Sequence, residues 1–124
     1  LDNCFPKELR VVRGDDFTRV LRQGGCAADG TIVVFALPRP AGGPDQSHES
    51  LSTRLGVTIP KKTGNAVVRN QWKRWIRESF RTQRAKIPVG YDLIVRPKKD
   101  ATPDGFMIRK NLPRLAVKAI ARIR

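Results

Sequence analysis

Residues 61–81, KKTGNAVVRNQWKRWIRESFR, constrain the fold more than any other stretch, because their apolar side chains recur at helical spacing. At about 100° per residue, Val68, Trp72, Trp75, Ile76 and Phe80 fall within one arc. An arc of that width can lie on a sheet. It predicts a helix running to about Lys86, with both tryptophans turned inward. Lys73, Arg74, Arg77, Arg81 and Arg84 gather on the opposite arc around Asn70, and Arg69 overlaps the apolar edge.

Cations four residues apart on a helix, as in Lys73, Arg77 and Arg81, repel one another by roughly 0.2–0.5 kcal/mol per pair. A helix that needs only solubility would interleave acids. Here the ten Lys or Arg residues between Arg54 and Lys86 meet one acid, Glu78. The arrangement reads as a surface for a polyanion in preference to a merely solvated face. The whole chain agrees in sign, with a formal charge of +14 and a pI near 11.1. Such a field draws nucleic acid, acidic lipid or acidic protein and is silent about fold. Arginine dominates the helix, and its planar fork pairs with phosphate better than lysine does. Membrane binding is disfavoured, since the aromatics are needed to cover a sheet. A DNA-reading helix would want a helix-turn-helix partner immediately before it, and TGNAVV reads as a loop instead.

The 124 residues, 40% of them hydrophobic, suit one domain spanning 1–124. GDDFTRVLRQGG, residues 14–25, predicts a short helix capped by Asp15 or Asp16 and stopped at Gly24–Gly25. Residues 30–38, GTIVVFALP, read as a strand, and residues 39–52, RPAGGPDQSHESLS, as a flexible loop. Residues 54–62 predict a second strand with Leu55, Val57 and Ile59 on one face, and 91–97, YDLIVRP, a third. Asp104 or Thr102 starts a last helix with Phe106, Ile108, Leu112, Leu115, Ala119 and Ile123 as inward positions. Pro113 predicts a kink or a restart there. The order read directly is α-β-β-α-β-α, an α+β layer of helices on one small sheet.

Chemistry within the chain itself is sparse. No apolar run approaches the roughly 20 residues that span a bilayer, and LDNCFPKELR lacks the apolar segment of a signal peptide. Cys4, Cys26 and His48 cannot make a zinc site, and idle thiols in a reducing cytoplasm are the expectation. A metal nuclease needs clustered carboxylates. The eleven acids are scattered, and their adjacent pair, Asp15–Asp16, is better placed as a helix cap.

RLGVTIPKKTGNAVVRNQWKRWIRESFR, residues 54–81, resembles the signature of the protein subunit of bacterial ribonuclease P, and DFTRVLRQG, TIVVFALP and GYDLIVRP extend the likeness. The resemblance implies an α-β sandwich of α-β-β-β-α-β-α order with a left-handed βαβ crossover, the extra strand lying within or beside residues 30–60. It implies a protein without catalytic residues of its own, bound to a catalytic RNA that uses Mg²⁺ to remove the 5′ leader of precursor tRNA. Neither DNA nor membrane is an expected partner, and the setting is cytoplasmic.

Carried over position by position, the resemblance implies RNA contacts at Lys61, Lys62, Arg69, Asn70, Lys73, Arg74, Arg77 and Arg81. Phe17, Leu21 and Phe35 match a leader-binding cleft, although Phe17 and Phe35 suit a core as well. Two departures stand out: Gln71 replaces an Arg of the pattern, and Pro60 replaces a Ser. A structural, ribosomal-type RNA-binding protein without a role in cleavage is the competing reading.

Overall fold

The computed structural model describes residues 14–38 and 53–123, of which 14–17 are described by their backbone alone. Helix α1 (Gly14–Gln23) leads into strands β1 (Gly25–Ala28), β2 (Ile32–Pro38) and β3 (Arg54–Val57). Helix α2 (Ala66–Thr82), strand β4 (Tyr91–Pro97) and helix α3 (Gly105–Ala121) complete the order α-β-β-β-α-β-α. The additional strand is β1, directly after the Gly24–Gly25 stop. The 39–52 loop, Cys4 and His48 lie outside the described residues.

The four strands form one sheet in the order β1-β2-β4-β3. β1 pairs antiparallel with β2, and β2 with β4 in the register Val33↔Arg96 and Phe35↔Ile94. β3 runs parallel to β4, so α2 is the crossover that joins them. Because side chains alternate across a strand, Ile32, Val34 and Ala36 of β2 face a core shared with Leu93 and Val95. Trp72, Ile76 and Phe80 of α2, with Ile108, Leu112 and Leu115 of α3, close that core. Each such side chain, once fully buried, contributes about 1.5–3 kcal/mol. On the opposite face Leu37 and Ile94 meet Val20 of α1, with Phe35 packed alongside. Both faces of β2 and β4 are therefore occupied, which explains their nearly unbroken apolar runs.

Local rules account for most boundaries. Asn65 caps α2 by accepting the Val68 N–H at 3.0 Å, and Asp104 caps α3 by accepting that of Met107 at 3.1 Å. Gly25 is required where α3 crosses β1, because a Cβ there would strike the Ala119 carbonyl. Asp29 fixes the β1–β2 turn: its Oδ1 accepts from the amides of Thr31 and Ile32, and its Oδ2 accepts from Asn111 Nδ2 at 2.6 Å.

Four expectations need correction, and a fifth is narrowed. Asp15 and Asp16 fall inside α1 and not ahead of it, so neither is its cap. β3 ends at Val57, with the Thr58 amide still donating to the Val95 carbonyl at 3.1 Å, and beyond Pro60, which cannot extend a ladder, Lys61–Thr63 form a 3₁₀ turn. α2 stops at Thr82, and the chain continues as a separate 3₁₀ turn at Arg84–Lys86. Trp75 and Phe106 are not inward: they are 38% and 71% exposed. Of the two outcomes expected at Pro113, the restart does not occur, since α3 runs unbroken from Gly105 to Ala121. The carbonyl of Arg109, four residues before the proline, accepts instead from the Gln83 side-chain amide at 2.8 Å.

Candidate nucleic-acid interface

The cationic arc of α2 points away from the core. Asn70, Arg74 and Arg81 are exposed, while Arg69, Lys73 and Arg77 are half-buried, their stems lying along the helix flank. Arg69 sits at the apolar margin, and its Nε is buried without a hydrogen-bond partner among the described residues, as is Nε1 of Trp72 one turn on. Arg81 reaches back to Glu78 at 2.6 Å, so the one acid of the helix offsets a charge at its far end and leaves the first turns strongly positive. Lys61 and Lys62 stand exposed on the 3₁₀ turn that feeds α2. The eight residues expected to touch RNA thus divide between the turn, with Lys61 and Lys62, and α2, with Arg69, Asn70, Lys73, Arg74, Arg77 and Arg81. Gly64 has a packing reason, since a Cβ there would lie 2.9 Å from the Val68 side chain.

A second surface lies on the other side of the sheet. α1 rests on β2 and β4 and leaves part of the sheet uncovered beside it. Leu21 projects from α1 at 41% exposure, and Phe35 is half-buried on the floor. The guanidinium of Arg96 lies 5.4 Å from the centroid of the Phe35 ring, within cation–π range. Phe17 lies on α1, but its side chain is outside the described residues. Around Val33 and Arg96 the face opens into a cleft of about 470 Å³ lined also by Lys62, Thr63, Lys98 and Lys99.

The basic rim of this cleft escaped the sequence reading. Arg96 could have been found, because alternation along DLIVR places it on the same side as Ile94. Lys98 and Lys99 follow the strand end in sequence, yet only the fold carries them to Lys62. Lys62 belongs to both surfaces.

α1 is held over the sheet by buried charge. Asp92 is fully buried and accepts from Arg54 Nε and Nη2, each at 2.7 Å, and from Arg19 Nη2 at 3.2 Å. Arg19 also donates to the Pro38 carbonyl at 3.3 Å. One carboxylate therefore ties α1, β3 and β4 together. Among the described residues no three His, Cys, Asp or Glu side chains are grouped as metal ligands. No helix among them is long and apolar enough to cross a membrane.

A model of the Ribonuclease P family matches residues 5–120. The chain belongs to the ribonuclease P protein family. It is 35% identical over 107 residues to the ribonuclease P protein component of Listeria innocua, covering 86% of this chain and 83% of that one. It is 36% identical over 95 residues to the component from Exiguobacterium sibiricum, covering 77% and 75%. Among solved structures, the Staphylococcus aureus RNase P protein superposes with a TM-score of 0.72 at 29% identity, covering 94% of this chain and 98% of its own. The Thermotoga maritima RNase P protein gives 0.70 at 28% identity, covering 88% and 96%. The mixed α+β fold, with its four-stranded sheet, is the fold of this family.

Proposed function

We propose that the chain is the protein subunit of a cytoplasmic ribonuclease P holoenzyme, in which it binds a catalytic RNA and the 5′ leader of precursor tRNA. The observation that carries this reading is the continuity of its two surfaces through Lys62. The arginine face of α2 suits the phosphates of a folded RNA. The cleft, with the Phe35–Arg96 floor and a lysine rim, suits a single strand whose bases stack while its backbone meets cations. A leader emerging from an RNA docked on α2 would reach that cleft at Lys62.

In this reading hydrolysis belongs to the RNA and to Mg²⁺ held mainly by it. Among the described residues no carboxylates are grouped as a metal cage, and Asp29 and Asp92 are committed to hydrogen bonds. No step is therefore assigned to a protein-bound ion. What the chain contributes is positive charge between two polyanions and a track that orients the leader.

The test is reconstitution. Added to the catalytic RNA, the protein should allow precursor tRNA cleavage at lower Mg²⁺ than the RNA alone requires, and by itself it should cut nothing. Unchanged cleavage at every Mg²⁺ concentration, with RNA still bound, would favour the structural RNA-binding protein instead.

A further inference from the structure

Trp75 is placed where a core residue was expected, yet it is 38% exposed. Its six-membered ring lies against the start of α3: a Cβ on Gly105 would come within 2.6 Å of Cε3 and 2.7 Å of Cδ2. Gly105 thus lies over one face of the ring and fixes its orientation, so only the other face is open to a further partner. The next residue, Phe106, is 71% exposed. Two solvent-exposed aromatics from different helices therefore flank the α2–α3 contact at Gly105, one packed on that glycine and the other following it in the chain.

Their surroundings identify the chemistry that would cover them. The Arg74 guanidinium stands 6.0 Å from the Trp75 ring centroid. Arg109 and Lys110 are exposed and follow Phe106 at the spacings that share a helix face. Gln71 is exposed one turn before Trp75 on the same row of α2. An apolar protein partner seated here would strip water from three cations with nothing to pair them. An unpaired nucleotide offers a flat π face to the ring, phosphates to the cations and a base edge to the amide.

We propose that Trp75 and Phe106, with Arg74 and Gln71 beside them, form a stacking site for an unpaired nucleotide of the RNA bound to α2. The proposal rests on the functional reading above and adds to it a contact that salt does not weaken. Gln71, exposed one turn from the ring, supplies a neutral hydrogen-bonding group beside it. Stacking on one aromatic side chain changes affinity by about tenfold.

The experiment uses the full chain and the ribonuclease P RNA encoded in the same genome. Trp72 is fully buried, so acrylamide quenching of tryptophan emission reports on Trp75. RNA binding should protect Trp75 from acrylamide. Trp75→Ala and the exposed substitution Phe106→Ser should each weaken RNA binding about tenfold at an unchanged salt slope. Trp75→Phe should retain most of the affinity. If the RNA binds with Trp75 still open to quencher and both variants bind as the parent does, the stacking site is overturned while the functional reading stands. Protection that appears on concentrating the protein without RNA would mark a self-association face and overturn it equally. Failure of the parent chain to bind this RNA overturns both readings.

Discussion

Gln83 donates its side-chain amide to the Arg109 carbonyl at 2.8 Å, supplying the hydrogen bond that Pro113, lacking an N–H, cannot give. The same amide reaches the Ser79 carbonyl at 3.2 Å, so the end of α2 is stitched to the middle of α3. An interior proline ordinarily costs a helix about 3 kcal/mol, part of it through the orphaned acceptor. Here the orphan becomes an inter-helix contact.

This relationship predicts non-additivity. Gln83→Ala should cost about 1 kcal/mol in the parent chain, where it leaves the carbonyl unpaired. In a Pro113→Ala background the substituted residue regains a backbone N–H that takes over that acceptor, and the cost should fall close to zero. A double-mutant cycle by urea denaturation measures the difference, and equal costs in both backgrounds would refute the link.

Asp92 should be among the most sensitive positions in the chain. Asp92→Asn leaves the Arg54 and Arg19 guanidinium groups facing a neutral partner in a buried setting, with an expected loss of about 3 kcal/mol or more. Chemical denaturation is the measurement. A loss below about 1 kcal/mol would mean that α1 is held by its apolar contacts alone.

The α2 face can be tested through salt. Replacing Arg74 and Arg77 together by Ala should weaken binding to the catalytic RNA and flatten the plot of log affinity against log salt by about 0.7–0.9 per lost phosphate contact. An unchanged slope would place the RNA elsewhere. Trp75→Ala should behave in the opposite way, lowering affinity at constant slope.

Arg96 offers a test of the cleft separate from α2. In the reconstituted holoenzyme, Arg96→Ala should weaken precursor tRNA binding about tenfold, the scale of one charged hydrogen bond, and leave mature tRNA unaffected. Equal weakening of both substrates would assign Arg96 to the catalytic RNA or to the tRNA body.

Amphipathic spacing alone made α2 legible, because a helix must hide Trp72, Ile76 and Phe80 and the cations have one remaining side. The strand at 91–97 was equally plain from its β-branched run between a turn and Pro97. β1 was not legible: GCAA has neither bulk nor branching, and it is a strand because β2 offers an edge and α3 covers it. Nor was the fate of Pro113, which depends on Gln83 far earlier in the chain, brought within reach only by the packing of α2 on α3.

The sequence by itself determined the charge sorting, the Trp72, Ile76 and Phe80 stripe of α2 and the family, since these depend on spacing along one chain. The tertiary structure decided which charges meet. It brought Lys98 and Lys99 to Lys62, set Arg19 and Arg54 on one buried carboxylate, and turned Trp75 and Phe106 outward at a helix junction. Each of those outcomes depends on contacts between residues far apart in sequence, where local periodicity carries no information.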